Sequence, residues 1–320
     1  MTSTVPTTCP LCSAQSPMAI GRTHKDGETT YTQYGCDACL VEFWWPLKNP
    51  GAEWYRTDKK YGMRNADPIW SANANQKKTL AFLAHTRGRV LDVGCGIGNF
   101  LSAAKDSGWH CAGIDFDPDA IEAARAVTGI AQLEVADVVD YAQRHHGEQF
   151  DLITFFDVLE HVDNHNEFIT SVQSILKPGG YVAMSMPYRK HARWLMKGDL
   201  PPMHLTCWDR KSLRRFLESR GFEVVFIQRS TEGIWPIILK LRFKYGGWSS
   251  LGAVNMARHA QGGATSAGKN HGLLVKMVHL AAKAKDMLIF GIPALLIWLS
   301  MIPTPKRYID LFCIARMRER

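Results

Sequence analysis

Acidic and small residues recur at the ends of apolar runs in the middle of the chain. In chain order these are Asp92, Gly94, Gly96, Gly98, Asp115 and Asp137. Glycine has no Cβ atom, so the three glycines accept positive φ values and leave room for a ligand against the main chain. A carboxylate at a strand end can accept hydrogen bonds from both hydroxyls of a ribose. The pattern therefore predicts a site for a nucleotide-like ligand.

Four cysteines near the start of the chain have the spacing of a metal site. They form two C-x-x-C pairs, Cys9 with Cys12 and Cys36 with Cys39. Four thiolates suit tetrahedral Zn²⁺, and the spacer between the pairs is long enough for a small hairpin. Disulfide bonding is the competing use, but residues 1–8 lack the apolar core of a signal peptide, which favours a reducing compartment. We expect a structural zinc ribbon over residues 1–50 and a cytoplasmic location.

The elements that carry these residues follow a regular order. Strand-like and helix-like segments alternate from residue 89 to residue 186, which indicates a doubly wound α/β sheet. The run at residues 150–156 is too apolar for a sheet with one solvated face, as expected for a buried parallel strand. A sixth strand is expected at residues 222–228, and the best candidate for a seventh lies at residues 308–315.

The spacing of the last two strands predicts a large insertion. We expect a helical, apolar and basic insertion at residues 233–306, followed by the final strand and a basic tail at residues 307–320. The prediction is thus a seven-stranded sheet with an N-terminal zinc ribbon and an insertion before its last strand.

The ordered motifs resemble the class I S-adenosylmethionine-dependent methyltransferases. They comprise the acid and alternating glycines at residues 92–98, the acids that end the next two strands, and Leu-Lys-Pro-Gly-Gly-Tyr at residues 176–181. The resemblance covers roughly residues 75–230. It implies a Rossmann-like methyltransferase sheet, a catalytic core over residues 89–232, and S-adenosylmethionine as cofactor.

The resemblance also implies roles for individual residues. Asp92 would hold the methionine end of the cofactor, Asp115 the ribose, and Asp137 the adenine amino group, although Asp137 also suits a helix cap. The implied cofactor-binding residues are Asp92, Gly94, Cys95, Gly96, Gly98, Asp115, Phe116, Asp137, Val138 and Phe156. In similar bacterial enzymes of sugar and glycan pathways an aromatic connector folds over the cofactor. Here that connector is residues 51–88, with Tyr55 and Tyr61 as candidate lid residues.

Two histidines fall beyond the carboxyl ends of the predicted strands, where a methyl acceptor would bind. His161 follows the fourth strand and His204 follows the fifth; either imidazole could remove a proton from a hydroxyl. Asp157, Glu160 and His161 resemble the acid-x-x-Glu-His set that places a divalent cation in ubiquinone-type O-methyltransferases, with Asp where Glu is familiar. The alternative is that Glu160 and His161 form hydrogen bonds that shape the loop. The sequence places His165 in solvent.

The last quarter of the chain is basic and apolar. Residues 233–320 hold 13 Lys and Arg against 3 Asp and Glu, in a chain of net charge +8. The uncharged run at residues 287–302 is interrupted by Pro293 and is shorter than the ~20 residues of a membrane span. We expect contact with an anionic membrane surface, peripheral on the inner face; a buried helical cap or a dimer interface is the alternative. So many aliphatic residues argue against nucleic acid as a partner.

The expected reaction is methyl transfer to a hydroxyl of a sugar, lipid-linked glycan or quinone-like acceptor near a membrane. The alternatives are a non-catalytic zinc-ribbon scaffold with a methyltransferase-like core, or methylation of carbon or nitrogen. The intact glycines and strand-end acids argue against the scaffold. An RNA methyltransferase would be expected to carry Asn-Pro-Pro-Tyr after the fourth strand, where this chain has Asp-Val-Leu-Glu at residues 157–160.

Overall fold

The protein divides into two compact units. One comprises Met1–Ser230 with Ile309–Arg320, and the other comprises Thr231–Tyr308. The computed structural model describes residues 5–57, 72–190, 195, 197–231, 233, 234, 237, 238, 241, 270–304 and 308–319.

The larger unit is built on a seven-stranded sheet. Its strands are β4 (Arg89–Val93), β5 (His110–Asp115), β6 (Leu133–Val135), β7 (Phe150–Phe156), β8 (Leu176–Pro187), β10 (Phe222–Thr231) and β11 (Tyr308–Met317). Their spatial order is β10-β11-β8-β7-β4-β5-β6. β4 runs parallel to β5 and β7, and β7 runs parallel to β8, so their carboxyl ends share one edge. β11 pairs antiparallel with β8. The predicted doubly wound sheet is confirmed.

Helices connect the strands of this sheet. Among the described residues of the larger unit, α1 (Ala52–Thr57) and α2 (Ala74–Phe82) precede β4, and the later helices are α3 (Asn99–Asp106), α4 (Pro118–Thr128), α5 (Val138–Arg144), α6 (His165–Ile175) and α7 (Arg210–Glu218). The Asp117 side chain caps α4 by accepting a hydrogen bond from the Asp119 amide, and Pro118 occupies the first turn, where its missing N–H costs nothing. Local sequence signals thus set where α4 begins.

The core lies between the sheet and its helices. Val90 on β4, Leu152 on β7 and Phe312 on β11 are buried together with Phe100 and Leu101 of α3. Burial of such side chains stabilises the fold by about 1.5–3 kcal/mol each, which fixes the strands and thereby the loops at their carboxyl ends.

The N-terminal region forms a second, four-stranded sheet. Its order is β1 (Met18–Asp26), β2 (Thr29–Gly35), β3 (Glu42–Trp45) and β9 (Thr206–Cys207). β1 and β2 form an antiparallel hairpin in the spacer between the two cysteine pairs, as the sequence predicts. β9 was not predicted; it belongs to the methyltransferase region and pairs antiparallel with β3.

The smaller unit contains a long helix, α8 (Asn270–Met301), with Pro293 inside it. The expectation that Pro293 interrupts this segment is wrong. Proline in a helix loses one backbone hydrogen bond and destabilises the helix by about 3 kcal/mol. Beside it, Ala294 and Met301 are buried in a cluster with Ile237 and Ile238, and this packing opposes the loss.

One stretch of α8 has the composition of a membrane span. Ala284–Met301 has a mean hydropathy of 1.5, and 17% of it is buried. Among the described residues it is the one helix that is long and apolar enough to cross a bilayer, by length and composition alone.

Candidate functional site

Asp92 lies in β4 with its carboxylate almost fully buried. Its Oδ1 accepts a hydrogen bond of 2.6 Å from the hydroxyl of Thr154 on the neighbouring β7. Burial raises the pKa of Asp92 to about 7, and the charge of Asp115 adds to this effect, whereas the Thr154 hydrogen bond opposes it. The sequence predicted Asp92 but not Thr154, whose signal is a polar residue inside an apolar strand.

Asp115 ends β5 and organises the loop that follows β4. Its Oδ2 accepts the amide N–H of Gly96 at 2.9 Å, and its Oδ1 accepts that of Asp117 at 3.0 Å. The structure thus joins the predicted acid to the predicted glycine loop, and the role of Asp115 toward a ribose stays a prediction.

The glycine loop takes a backbone conformation that side chains disfavour. Gly94 and Gly98 have φ values of +71° and +82°. A Cβ atom on Gly94 would stand 2.7 Å from Cγ2 of Val158, and one on Gly98 would stand 2.7 Å from Cγ2 of Thr128. Glycine is therefore required at both positions for close packing as well as for φ.

The remaining predicted cofactor residues lie where strands of the larger sheet end and helices begin. Asp137 is exposed and caps α5 by accepting from the Val139 and Asp140 amides, which is the alternative that the sequence left open. Val138 and Cys95 are buried, and Phe156 is buried against Phe100 at a ring distance of 5.2 Å. Their roles toward the cofactor stay predictions.

Tyr55 brings the aromatic connector to the sheet edge. Its ring is buried 5.0 Å from that of Phe116, and its hydroxyl lies 3.1 Å from Nδ1 of His161. The candidate lid residue thus contacts both a predicted cofactor residue and a predicted catalytic residue. Tyr61, the other candidate, lies outside the described residues.

The structure brings the two predicted catalytic histidines together. The rings of His161 and His204 lie 4.9 Å apart at an interplanar angle of 72°. Nδ1 of His161 is 2.6 Å from the carbonyl oxygen of Met203, which can only accept. Nδ1 therefore carries the proton in the neutral ring, and Nε2 is the nitrogen that can bind a proton or a metal. Nδ1 of His204 lies 3.8 Å from Oδ1 of Asp199.

Glu160 is the most unusual group at this site. Its side chain is 2% exposed, and within the described residues neither carboxylate oxygen has a hydrogen-bond partner. Burial raises the pKa of Glu160 well above its usual value, and the nearby charge of Asp157 raises it further. An orphaned buried carboxylate is costly unless something binds it.

The geometry changes the predicted cation set. Glu160, His161 and His204 each offer a ligand atom, and these atoms lie within 4.8 Å of one another. Asp157 is not in this group; it is exposed at a turn with φ of +56°, and its Oδ1 accepts from the Ser185 hydroxyl. Two imidazoles and one carboxylate suit a transition-metal dication better than Mg²⁺. The orphaned oxygens of Glu160 fit this use.

The four-cysteine cluster is compatible with a zinc ribbon. Sγ of Cys9 lies 3.7 Å from Sγ of Cys39, and Sγ of Cys12 lies 3.6 Å from Sγ of Cys36. With Zn–S bonds of about 2.3 Å, a tetrahedral site has S–S edges of about 3.8 Å. The four thiols therefore fit Zn²⁺, which would contribute folding energy to this small sheet.

His165 differs from its expectation. It was expected in solvent, but it is buried, with Nε2 3.1 Å from the Leu159 carbonyl oxygen and its ring 5.7 Å from that of Trp208. Burial lowers the pKa of His165 to about 3. The neutral ring is a packing residue of α6.

Comparisons with known proteins agree with this geometry. Residues 70–226 match the model of a family described as a methyltransferase domain. The ubiquinone biosynthesis O-methyltransferase of Proteus mirabilis is 32% identical over 111 residues, which are 34% of this chain and 45% of the relative. That of Yersinia pestis is 31% identical over 111 residues. The chain thus spans about half the length of the curated relatives it matches.

The fold also matches solved structures. Phosphoethanolamine N-methyltransferase 2 of Haemonchus contortus, in complex with S-adenosylmethionine, aligns with a TM-score of 0.54 at 16% identity. The alignment covers 93% of this chain and 71% of that one. At this identity the likeness establishes the fold alone. The region at residues 70–226 is therefore a methyltransferase domain by its family match, and its sheet has the fold of a solved methyltransferase.

Proposed function

We propose that this protein transfers the methyl group of S-adenosylmethionine to a hydroxyl oxygen of a small acceptor. The observation that carries the proposal is the meeting of His161 and His204 beyond the end of β7. β7 is parallel to β4, so the histidines share a sheet edge with Asp92 and the glycine loop. A cofactor and a proton acceptor at one edge are what methylation of a hydroxyl needs.

The proposed reaction is an in-line displacement. The acceptor oxygen attacks the methyl carbon, the bond from that carbon to the sulfonium sulfur breaks, and S-adenosylhomocysteine leaves as a neutral sulfide. The hydroxyl proton passes to Nε2 of His161, because Nδ1 already donates to the Met203 carbonyl oxygen. Tyr55 and Phe116, whose rings lie 5.0 Å apart, would cover one side of the site when the acceptor binds, which favours displacement over solvation of the nucleophile.

The acceptor class is proposed from the relatives. Two curated relatives act, by name, as O-methyltransferases of ubiquinone biosynthesis, and each matches 111 residues of this chain. This favours a quinone-like acceptor over a sugar or a lipid-linked glycan, and oxygen over carbon or nitrogen. Comparison of extracts from cells with and without the protein would identify the acceptor as a metabolite that differs by one CH₂ in mass. A mass shift confined to nucleic acid would contradict the proposal.

Cofactor binding gives the direct test. We expect calorimetry to detect S-adenosylmethionine binding by the full chain. Asp115→Ala should weaken binding by roughly tenfold or more, about 1.4 kcal/mol, because it removes the proposed ribose acceptor. Asp140→Ala is the matched control, since Asp140 is an exposed acid on the nearby α5. Absence of binding by the unaltered chain would refute the enzyme proposal.

As an alternative to proton transfer to His161, we propose that Glu160, His161 and His204 hold a divalent cation; Nε2 of His161 would then be a ligand and would not accept the proton. When bound, the cation would polarise the acceptor hydroxyl and lower its pKa. Electron paramagnetic resonance with Mn²⁺ should show binding by the full chain and its loss in Glu160→Gln, which keeps the shape of the side chain. Asp157→Asn should retain binding, since Asp157 lies outside the cluster. If Glu160→Gln binds Mn²⁺ as well as the unaltered chain does, this cation site is excluded.

We also propose that the smaller unit contacts an anionic membrane on its cytoplasmic face. Leu288, Ile292 and Leu296 of α8 are 85%, 73% and 62% exposed and share one face of the helix, four residues apart. Lys283 and Lys285 precede this stretch, and Lys306 and Arg307 follow it. Apolar side chains with basic residues at both ends suit an interfacial helix on anionic lipid.

A further inference from the structure

The last strand of the ribbon is bonded to the segment that carries one catalytic histidine. β3 pairs antiparallel with β9, with Glu42 opposite Cys207 and Phe43 opposite Thr206. The Trp44 amide also donates to the Leu205 carbonyl oxygen at 2.8 Å. His204 directly precedes this paired segment. A shift of β3 would therefore move the backbone next to His204.

The chain that follows β3 reaches the other catalytic histidine. The side-chain amide of Asn49 donates through Nδ2 to the carbonyl oxygen of His161 at 2.8 Å. The Asn49 backbone amide donates to Oδ2 of Asp163 at 3.0 Å, and its Oδ1 accepts from the Gly51 amide at 2.8 Å. Three bonds thus fix Asn49, and one of them ends on the backbone of His161.

The two histidine segments are also bonded to each other. The Leu205 amide donates to the Glu160 carbonyl oxygen at 2.8 Å, and Nδ1 of His161 donates to the Met203 carbonyl oxygen at 2.6 Å. The segments at residues 160–163 and 203–207 therefore form one bonded unit. β3 holds it on one side, and Asn49 holds it on the other.

Other contacts dock the ribbon without touching the histidines. Side chains of the methyltransferase region donate to carbonyl oxygens around the cysteine pairs. These contacts are Arg215 to Ala38 and Arg220 to Leu11, each at 2.6 Å, Lys190 to Leu40 at 2.6 Å, and Asn166 to Pro10 at 3.3 Å. Docking of the ribbon therefore does not depend on Asn49, and the bond to His161 is left without a docking role to explain it.

We propose that the ribbon is a structural arm of the active site and that Asn49 is a positioning residue for His161 and His204. The inference rests on the proposed function, in which these imidazoles serve methyl transfer. Asn49 and β3 set the separation of the two imidazole rings, because Asn49 holds the backbone at residues 160–163 and β3 holds the backbone at residues 203–207. Folding of the ribbon around its metal is thereby linked to the separation of the His161 and His204 rings.

Imidazole signals in the full chain with one equivalent of zinc, enough for the four cysteines alone, test this inference. Ring Cε1–H resonances of His161 and His204 are assigned with His161→Gln and His204→Gln variants. In Asn49→Ala we expect both resonances to shift and the Overhauser contact between the rings to be lost. Asn166→Ala is the control, because it removes the asparagine's bonds to the Pro10 carbonyl oxygen and from Arg220, which both dock the ribbon, but no bond to His161 or His204. This control should keep both resonances and the contact.

The remaining outcomes are also decisive. Unchanged His161 and His204 resonances in Asn49→Ala, or equal shifts in Asn166→Ala, would overturn the positioning role. Resonances of His110 and His145, which lie on β5 and after α5, report whether the fold is retained. If Asn49→Ala does not fold, Asn49→Ser replaces it, because the hydroxyl can still accept from Gly51 but cannot reach His161. Failure of the unaltered chain to bind S-adenosylmethionine would refute the proposed function and leave the ring geometry to be judged by itself.

Discussion

At the scale of single residues, Asp92 at the end of β4 has a pKa close to neutrality. The Asp92 carboxylate is 3% exposed, and its hydrogen bond from Thr154 does not offset the effect of burial. An acid with a pKa near neutrality can lose its proton when a cationic ligand group approaches. This property supports the prediction that Asp92 binds the positive amino group of a methionine moiety.

This acid gives a prediction for stability against pH. The pKa of Asp92 is about 7 in the folded chain and about 3.9 when unfolded, so the folded state retains a proton that the unfolded state loses. The resulting stabilisation is complete below the unfolded pKa and is lost as pH rises through about 7. Between the two pKa values, each unit of rising pH lowers the free energy of unfolding by about 1.4 kcal/mol. In urea unfolding, the free energy of unfolding should therefore fall with rising pH more steeply for the unaltered chain than for Asp92→Asn. Parallel pH profiles of the two proteins would contradict the assignment.

Which residues the sequence could predict depends on how local their signals are. Asp92, Asp115 and the glycines follow directly from strand ends and a tight turn, and the structure joins them as expected. The contact between His161 and His204 was not predictable, because it depends on where the loop after β8 returns. His165 was misjudged for a similar reason: it opens α6 next to polar residues, but Trp208 from a distant segment covers it.

At the scale of elements, the junction of α3 and α4 depends on one glycine. Gly98 is the N-cap of α3 with φ of +82°, and a Cβ atom there would meet Thr128 of α4 at 2.7 Å. α3 and α4 can approach each other beside the glycine loop only because Gly98 has no Cβ atom.

We predict that Gly98→Ala destabilises the fold by about 2–4 kcal/mol, as the sum of strain at positive φ and overpacking. Gly147→Ala is a matched control: its φ is +95°, but nothing lies within 4 Å of an added Cβ atom. The control should lose only the strain energy, about 1 kcal/mol. Chemical denaturation of both variants measures the difference. Equal losses would show that α4 yields to the extra methyl group.

Strands were predictable where an apolar run is bounded by turn residues, and not where pairing alone defines them. The sequence predicted the final strand at residues 308–315, and β11 spans Tyr308–Met317. β9 has two residues, Thr206 and Cys207, and carries no signal of its own. It is a strand because β3 lies beside it, and no feature of the local sequence reports that neighbour.

At the scale of the whole molecule, we expect the ribbon and the methyltransferase sheet to unfold together. Metal removal should lower the melting temperature of the entire larger unit, since metal binding supplies folding energy to the ribbon and β3 pairs with β9. Cys36→Ser should mimic the effect of a chelator. Cys111→Ser, which changes a half-buried cysteine outside the cluster, should leave the zinc content of the chain unchanged as measured by a colorimetric chelator. An unchanged melting temperature after chelation would show that the ribbon is an independent module.

The membrane proposal gives a second test at this scale. The triple change Leu288→Gln, Ile292→Gln and Leu296→Gln should abolish flotation with vesicles that contain anionic lipid, because it removes the exposed apolar side chains of α8. Val225→Gln is the control, since Val225 is an exposed apolar residue on β10. Co-flotation of the triple variant would rule out this helix face as the lipid contact. Dimerisation that the triple change abolishes would instead favour the interface between copies of the chain.

The position of β11 has a consequence for how the protein is made. β11 lies between β8 and β10, yet Thr231–Tyr308 is translated before it. On the ribosome, the nascent chain therefore displays two unpaired sheet edges for the whole time in which α8 is synthesised, and such edges invite misassembly. The sheet of the larger unit can be completed only after α8 has emerged from the ribosome. A bilayer or a chaperone can therefore bind α8 before the sheet that carries Asp92 and the glycine loop is complete.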